Sequence, residues 1–410
     1  MPARAGREFF AVRTVPEALA GFRPSRRTGV ERAPLEAALG RVPAEAPTAP
    51  HPLPGFARAT VDGYAVRAAD TYGASEGLPS YLDLAGEARM GRPPELDLAP
   101  GAAVAIATGA PLPRAADAVV KVEHSQSPTP ELIEVLRPVA PGEGVVRADE
   151  DAAAGAELAR PGRPLRPHDL GMLAAAGITE LLVRARPRVA IVSTGDELVP
   201  ATSDALVAGQ VRDATAPALA ALVREAGGEP LFAGIVPDDS QALSAALRSA
   251  LGGCDVLVVS AGSSVGARDQ TAAAVGALGD PGIWCHGLAL RPGKPTLLAD
   301  CGGVPLVGLP GNPRSALVVF RLVGLPLLRT VAGVTAPPPV PTTRAKLARD
   351  VPSAAGRLDV VQVGLADGVA TPRFGSSALL APMAGADGYL CVPEPDTGLP
   401  AGTAVDVVLY

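Results

Sequence analysis

The sequence predicts a multidomain α/β plus β protein, built around a central doubly wound parallel α/β domain. Apolar strand patterns alternate with amphipathic helix patterns over residues 187–334, a proline-rich stretch follows, and glycine-punctuated strand patterns lie on both sides. Such alternation gives a parallel sheet with right-handed crossovers and helices on both faces. At about 150 residues per domain, a chain of 410 residues accommodates two to four domains.

The central domain begins with RVAIVSTGDEL, whose continuous apolar run indicates a strand covered on both faces. Asp213 precedes the helix pattern PALAALVREAGG, which ends at a glycine pair. The strand LFAGIV then leads into the helix PDDSQALSAALRSALGG, and the strand DVLVVS leads into the glycine-rich AGSSVGARD and another helix. The last strand, VPLVGL, turns into the helix PGNPRSALVVFRLVG, with Asn312 as its expected N-cap and Pro313 in its first turn.

The flanking segments predict three further units. Residues 335–343 (TAPPPVPTT) indicate a linker, and the segments DVVQVGL, GYLCVPE and AVDVVLY after it predict a small β-domain or barrel over 335–410. Residues 52–137 are strand-like, whereas VERAPLEAALGRV before them and RPHDLGMLAAAG after them predict helices. We therefore expect a β-rich domain (52–137) inserted into a discontinuous helical domain (1–51 and 138–186).

Composition excludes several classes of protein. The net charge of −6 does not provide the basic surface of a nucleic-acid-binding protein. The four cysteines are widely spaced and form no CxxC, which argues against a disulfide framework or a structural zinc and predicts a reducing cytoplasm. We find neither a signal peptide nor the ~20 uninterrupted apolar residues that span a bilayer. No nucleic acid and no membrane is expected as a partner.

The loops that follow the four predicted parallel strands hold the candidate chemistry. Ligands of open α/β sheets bind beyond the carboxyl ends of the strands, so we expect these loops to meet at one cleft. Three loops supply acids, namely Glu197, Asp238 and Asp269. Glycine-rich turns with exposed N–H groups accompany them, and a hard cation such as Mg²⁺ would bridge the acids to a phosphate or another oxyanion. Arg291 and Lys294, in RPGKP, would supply further positive charge.

Most of these features also have a purely structural explanation. Asp238 or Asp239 alone would more often cap a helix, and Asp213 even more so, while Gly262 and Gly266 suit tight turns. Glu197 is harder to explain this way, because a TGDE turn after a buried strand has no structural need for two acids. The sequence lacks a Ser-His-Asp set, a Walker loop and GxGxxG, which excludes the commoner hydrolases, NTPases and dehydrogenases.

Several strings occur together in a characteristic order: TVDGYAVR, ATGAPLPRAADAVVKVE, STGDEL, GQVRD, SSVGARD, RPGKP and GLPGNPRSAL. From about Pro52 onward they resemble the molybdopterin molybdenumtransferase family, which includes the gephyrin E-domain. The resemblance implies an elongated four-domain homodimer with a C-terminal β-barrel. It also implies an enzyme that inserts molybdate into adenylylated molybdopterin and releases AMP with divalent-metal help. The molybdopterin adenylyltransferase is a candidate protein partner.

The resemblance further implies which residues form the site, at a junction between subunits. Its implied catalytic residues are Asp62, Thr108, Glu197, Asp238 and Asp269, of which the last three are also the expected metal ligands. Asp62 and Thr108 rest on the resemblance alone, because each is followed by glycine in an ordinary turn signal. The expected substrate-binding residues are Gly262, Ser264, Gly266, Arg291, Lys294, Pro310, Gly311, Asn312, Pro313 and Ser315.

The chain departs from the family pattern without losing these acids. It has VDGYA for MDGYA, Ser260-Ala261-Gly262 for SGG, Ala214-Thr215 for a Ser-Asn pair, and Gly375-Ser376-Ser377 for GSG. Two other functions remain open on the sequence. One is the molybdopterin adenylyltransferase, which acts in the step before molybdate insertion and normally lacks the inserted and C-terminal domains. The other is a non-catalytic, gephyrin-like scaffold, which would have no reason to keep charges clustered at a sheet edge.

Overall fold

A computed structural model describes residues 12–94, 97–261 and 265–410, with the backbone alone described at 265–269. Its helices are α1 (Val15–Gly21), α2 (Pro167–Ala175), α3 (Thr215–Glu225), α4 (Ser240–Leu251), α5 (Val265–Gly276), α6 (Pro313–Val319), α7 (Leu325–Val331) and α8 (Ala381–Ala384). A π-helical turn, Phe320–Gly324, joins α6 to α7. No helix within these ranges is long and apolar enough to cross a membrane.

The strands of four or more residues form two six-stranded sheets, one five-stranded sheet and one two-stranded ribbon. In chain order they are β1 (Val30–Pro34), β2 (Gly63–Val66), β3 (Ser80–Ala88), β4 (Ala102–Ile106), β5 (Ala118–Lys121), β6 (Ser125–Thr129), β7 (Leu132–Val135), β8 (Glu180–Arg184), β9 (Arg188–Thr194), β10 (Glu229–Val236), β11 (Val256–Ala261), β12 (Pro281–His286), β13 (Leu297–Cys301), β14 (Val304–Pro310), β15 (Thr342–Leu347), β16 (Leu358–Ala366), β17 (Val369–Arg373), β18 (Gly388–Val392) and β19 (Ala404–Leu409).

The central sheet has the strand order β10-β9-β11-β14-β13-β12. The first four strands are parallel, which confirms the predicted α/β class. Strands β13 and β12 are antiparallel additions that the sequence did not reveal. The turn between β13 and β14 consists of Gly302 and Gly303, both at positive φ, a conformation that suits a two-residue hairpin and reverses the chain direction.

Helices cover both faces of the central sheet, as a doubly wound domain requires. Ile191 of β9 belongs to a core with Leu219 of α3 and Phe320 beyond α6. The next residue, Val192, faces the opposite way into a second core with Leu243 and Leu247 of α4. Successive side chains of a strand point to opposite faces, so a continuous apolar run supplies both cores.

Two aspartates begin helices here, as their positions indicated. Asp239 Oδ1 accepts hydrogen bonds from the N–H groups of Gln241 (3.1 Å) and Ala242 (2.8 Å), so it is the N-cap of α4. Asp213 is buried, and its Oδ1 accepts from Thr215 and Ala216 at the start of α3. Its Oδ2 accepts from Ser193 Oγ at 2.6 Å, which joins α3 to the end of β9.

The C-terminal segment forms a closed five-stranded barrel, in the cyclic order β16-β17-β15-β19-β18. All three strands expected from alternation in this segment are present. The barrel joins the central domain through backbone pairing of Leu290 and Arg291 with Leu358 and Asp359 of β16. Asn312 strengthens this junction: it occupies the N-cap position of α6, but its side chain donates to Ser377 Oγ of the barrel (2.9 Å) instead of capping the helix.

The N-terminal part contains the inserted sheet, with strand order β5-β2-β4-β3-β7-β6. The helix predicted from RPHDLGMLAAAG is α2. The helix predicted from VERAPLEAALGRV is wrong, because Val30–Pro34 is strand β1 and only a 3₁₀ turn, Leu35–Ala37, follows. Pro34 opposes a continuous helix because it lacks a backbone N–H, and β1 pairs instead with β8, about 150 residues later.

Candidate functional site

The loops after β9 and β10 bring three carboxylates together, and we call Asp196, Glu197 and Asp238 the carboxylate cluster. The Asp238 N–H donates to Asp196 Oδ1 at 3.1 Å, and the Gly195 N–H donates to the Val236 carbonyl at 3.1 Å. Gly195 has a positive φ of 151°, and a Cβ there would lie 2.8 Å from Glu197 Oε2. The glycine of TGDE therefore leaves room for Glu197 to fold back over the turn.

The cluster is electrostatically unfavourable without a cation. Partial desolvation, together with the charges of Asp196 and Glu197, raises the pKa of Asp238. All three side chains are exposed to solvent. Among the described residues, no group of three His, Cys, Asp or Glu side chains is arranged to hold a metal ion by itself. Mg²⁺ is commonly held by only one or two carboxylates plus substrate phosphates, so the donor chemistry of this cluster fits that ion.

For four predicted site residues the structure describes either nothing or the backbone alone. Gly262 and Ser264 lie outside the described residues. Gly266 and Asp269 belong to α5, the helix that follows β11, where the backbone alone is described. The role of Asp269 as a third metal ligand therefore stays a prediction.

A cavity of about 950 Å³ lies between the carboxyl end of β14 and the barrel, and we call it the basic cavity. Among the predicted substrate-binding residues, six line it: Arg291, Lys294, Pro310, Gly311, Asn312 and Ser315. Pro313 is the first residue of α6 beside it. The barrel contributes lining residues that sequence reasoning missed, among them Ser353, Arg357, Asp359, Gln362 and Arg373. No motif marked them, because the docking of two domains places them there.

The basic cavity has more positive than negative charge. Five of its described lining residues are cationic and one is acidic, namely Arg291, Lys294, Arg314, Arg357 and Arg373 against Asp359. Buried Asp359 accepts from Arg357 Nε at 2.8 Å and pairs with Arg291 at 3.5 Å. Burial and the nearby charge of Arg291 lower the pKa of Arg314. A concave surface of one charge sign attracts the opposite charge, so this cavity suits an anion.

The carboxylate cluster and the basic cavity lie at the same edge of the central sheet. The acids follow β10 and β9, and the cavity adjoins the end of β14, with β11 between them. Neighbouring strands are about 4.8 Å apart, so the two features are separated by roughly 10–15 Å. That both belong to one cleft stays a prediction, because residues 262–264, which follow β11 between them, lie outside the described residues.

The structure also brings Asp62 and Thr108 together, 46 residues apart in the chain. Asp62 Oδ1 accepts from the Thr108 N–H at 2.7 Å and from Thr108 Oγ1 at 2.9 Å. These two hydrogen bonds lower the pKa of Asp62, and the bond from the backbone N–H has the larger effect. Both residues are exposed in the inserted domain, and neither is among the residues that line the basic cavity within the described chain.

With this geometry in place, comparison with known proteins identifies the family. Residues 12–177 match the MoeA N-terminal region (domain I and II), residues 190–330 a probable molybdopterin binding domain, and residues 344–410 the MoeA C-terminal region (domain IV). The chain is 36% identical over 383 residues to molybdopterin molybdenumtransferase 2 of Mycobacterium tuberculosis, covering 91% of this chain and 93% of that one. The chain belongs to the molybdopterin molybdenumtransferase family.

Other members of the molybdopterin molybdenumtransferase family agree in length and fold. The Bacillus subtilis enzyme of that name is 32% identical over 392 residues, covering 92% of this chain and 88% of its own. A crystal structure of the molybdopterin biosynthesis moeA protein from Pyrococcus horikoshii OT3 superposes with a TM-score of 0.84 at 30% identity, covering 97% and 100% of the two chains. The family resemblance inferred from the sequence motifs is confirmed.

Proposed function

We propose that this protein is a molybdopterin molybdenumtransferase, which inserts molybdate into adenylylated molybdopterin and releases AMP to form molybdenum cofactor. The observation that carries the proposal is the shared sheet edge, where an acidic cluster follows β9 and β10 and a basic cavity adjoins the end of β14. The names of its full-length relatives support the same reaction. The adenylyltransferase is less favoured because the match extends over the inserted and C-terminal domains. The scaffold is less favoured because the full-length relatives are named as transferases.

In this proposal the basic cavity holds the oxyanion. Arg291 and Lys294 are exposed at its wall, where an anion can reach them from the solvent side. Asp359 binds Arg357 and Arg291 from behind, and buried carboxylates of this kind fix the direction of a guanidinium. The cavity thus positions molybdate while the pterin phosphate extends along the sheet edge toward the carboxylate cluster.

The carboxylate cluster is proposed to hold Mg²⁺ through Glu197 and Asp238, with Asp269 as the predicted third ligand. When bound, the ion would offset negative charge on the anhydride whose pyrophosphate bond is cleaved. The hydrogen bond between the Asp238 N–H and Asp196 keeps the two loops in register. Partial desolvation, followed by the charges of Asp196 and Glu197, raises the pKa of Asp238, and a bound cation would favour its ionised form.

We further propose that Asp62 and Thr108 act across a homodimer interface. Their mutual hydrogen bonds give one ionised, well-oriented carboxylate on the inserted domain, away from the basic cavity of the same chain. A second copy would bring this carboxylate to the sheet edge. The adenylyltransferase is the proposed donor of the pterin nucleotide. A cytoplasmic location is proposed from the four free cysteines, three of them buried.

The test is to combine the protein with adenylylated molybdopterin, molybdate and Mg²⁺ and to measure AMP release. Molybdate-dependent AMP release is expected. ATP consumption with bare molybdopterin would instead identify an adenylyltransferase. If this protein shows no reaction while a family member assayed in parallel is active, an enzymatic role is rejected and a scaffold is favoured.

A further inference from the structure

Gln362, in barrel strand β16, has one half of its amide unused. The residue is 1% exposed and lies on the wall of the basic cavity. Its Oε1 accepts a hydrogen bond from the Tyr410 hydroxyl, whereas its Nε2 has no partner. Buried amide groups are nearly always satisfied within the protein, because an unpaired donor loses its water without compensation. The free Nε2 therefore indicates a missing acceptor.

Tyr410 occupies one end of this amide and is itself held in place. Its ring packs against Tyr389 with centroids 5.7 Å apart, and the Arg321 guanidinium lies over the ring at 4.9 Å. Its backbone N–H donates to the Asp387 carbonyl at 3.1 Å. The Tyr410 hydroxyl donates to Gln362 Oε1, and burial raises the pKa of this phenol. With Oε1 occupied, Nε2 is the end of the amide left without a partner among the described residues.

Two further donors of the basic cavity share this condition. Arg314 Nε and Ser353 Oγ are buried, without hydrogen-bond partners, and belong to lining residues. Of the five such side-chain atoms in the described chain, three thus lie at one cavity. All three can donate a hydrogen bond, so the missing group is one rich in acceptors. A tetrahedral oxyanion, which only accepts, meets that requirement.

We propose that Gln362 is a substrate-contacting residue of the basic cavity, donating its Nε2–H to the oxyanion, and that Tyr410 is the positioning residue that orients its amide. This inference rests on the proposed function, in which the cavity binds molybdate. It adds a neutral donor from the barrel to the cationic residues of the α/β domain. The barrel thereby takes part in recognition of the substrate.

The experiment measures molybdate binding by equilibrium dialysis with the full chain. Gln362→Leu keeps the volume and removes the donor, so a loss of about 10- to 100-fold in affinity is expected, as for a hydrogen bond to a charged group. Gln362→Glu, which presents an acceptor or a charge, should bind still more weakly. Tyr410→Phe should lose several-fold, and that loss should vanish in the Gln362→Leu background, because both changes act through one amide.

Thr28→Val is the matched control, because Thr28 is also buried with an unpartnered hydroxyl but is not among the cavity residues. Its affinity should equal that of the wild type. A wild type that binds no molybdate would reject the proposed function and this inference together. A binding wild type with an equally good Gln362→Leu would overturn the inference alone. If Gln362→Leu does not fold by circular dichroism, Tyr410→Phe decides, and unchanged affinity there overturns the inference.

Discussion

Asp238 and Asp239 are consecutive residues with opposite relations to helix α4. Asp239 caps the helix through two backbone hydrogen bonds. Asp238 instead offers its own N–H to Asp196, and its carboxylate is repelled by Asp196 and Glu197. One residue therefore stabilises the fold, while the ionised form of its neighbour is disfavoured.

Removing the cap should weaken the protein without affecting chemistry directly. Asp239→Ala leaves the N–H groups of Gln241 and Ala242 without their acceptor, and loss of an N-cap costs about 1 kcal/mol. Denaturant unfolding should report that loss, whereas Asp239→Ser, which retains a capping oxygen, should recover most of it. Equal stability of Asp239→Ala and the wild type would contradict the assigned cap.

Neutralising Asp238 should have the reverse effect on stability, with a definite pH dependence. A pKa raised above its ordinary value of 3.8 means that the ionised carboxylate opposes folding at neutral pH and has no effect once it is protonated in both states. Asp238→Asn should therefore raise both the Tm and the free energy of unfolding at pH 7. The gain in free energy should be less than about 1 kcal/mol, because solvent screens exposed charges. The gain should shrink as the pH falls toward 3.8. A gain that is independent of pH would refute the repulsion.

Glu197 should determine the response to Mg²⁺. Ligand binding stabilises the native state by mass action, so Mg²⁺ should raise the Tm of the wild type more than that of Glu197→Gln. The Mg²⁺ concentration for half-maximal AMP release should rise at least about 10-fold, since even changes behind a metal ligand cost that much. Glu229→Gln, at the opposite end of β10, is the matched control. Identical Mg²⁺ shifts for Glu197→Gln and the wild type would exclude Glu197 as a ligand.

Lys294 should contribute to oxyanion affinity. Lys294→Ala is expected to weaken molybdate binding about 10-fold or more, the value of one charge-assisted hydrogen bond, with a smaller loss at high salt because ions screen exposed charges. Lys346→Ala, which removes an exposed lysine of β15 outside the basic cavity, should leave affinity unchanged. If the two variants bind equally, Lys294 does not contact the anion.

Thr108 should act through Asp62. Thr108→Val removes one of two hydrogen bonds to Asp62, so its lowered pKa should move back up and the acid limb of the kcat/KM profile should shift to higher pH. AMP release should fall about 2- to 10-fold, the net value of one hydrogen bond. Thr108→Ser keeps the hydroxyl and should behave like the wild type. A serine variant as impaired as the valine variant would contradict a role for the Thr108 hydroxyl, because serine keeps that hydroxyl.

The local sequence pattern was sufficient to predict the strands of the central domain. It gave a wrong prediction at residues 30–42, whose first part pairs with a strand distant in the chain. Strands β9, β11 and β14 can be recognised in the sequence by their continuous apolar runs, because strands covered on both faces need apolar side chains on both. Residues 30–42 have the apolar spacing of a helix, yet pairing with β8 makes their first part a strand. Nothing within that segment records the partner.

The sequence by itself determined the family, the parallel sheet and the acids at its carboxyl edge, because motif order and strand polarity are properties of the chain. Only the tertiary structure decided that Asp62 meets Thr108, that Asn312 binds Ser377, and that the barrel closes the basic cavity. It also decided that Gln362, whose amide oxygen accepts from Tyr410 and whose Nε2 has no partner in the described chain, lies on the wall of that cavity. These contacts depend on strand register and domain docking, which bring together residues that no local spacing relates.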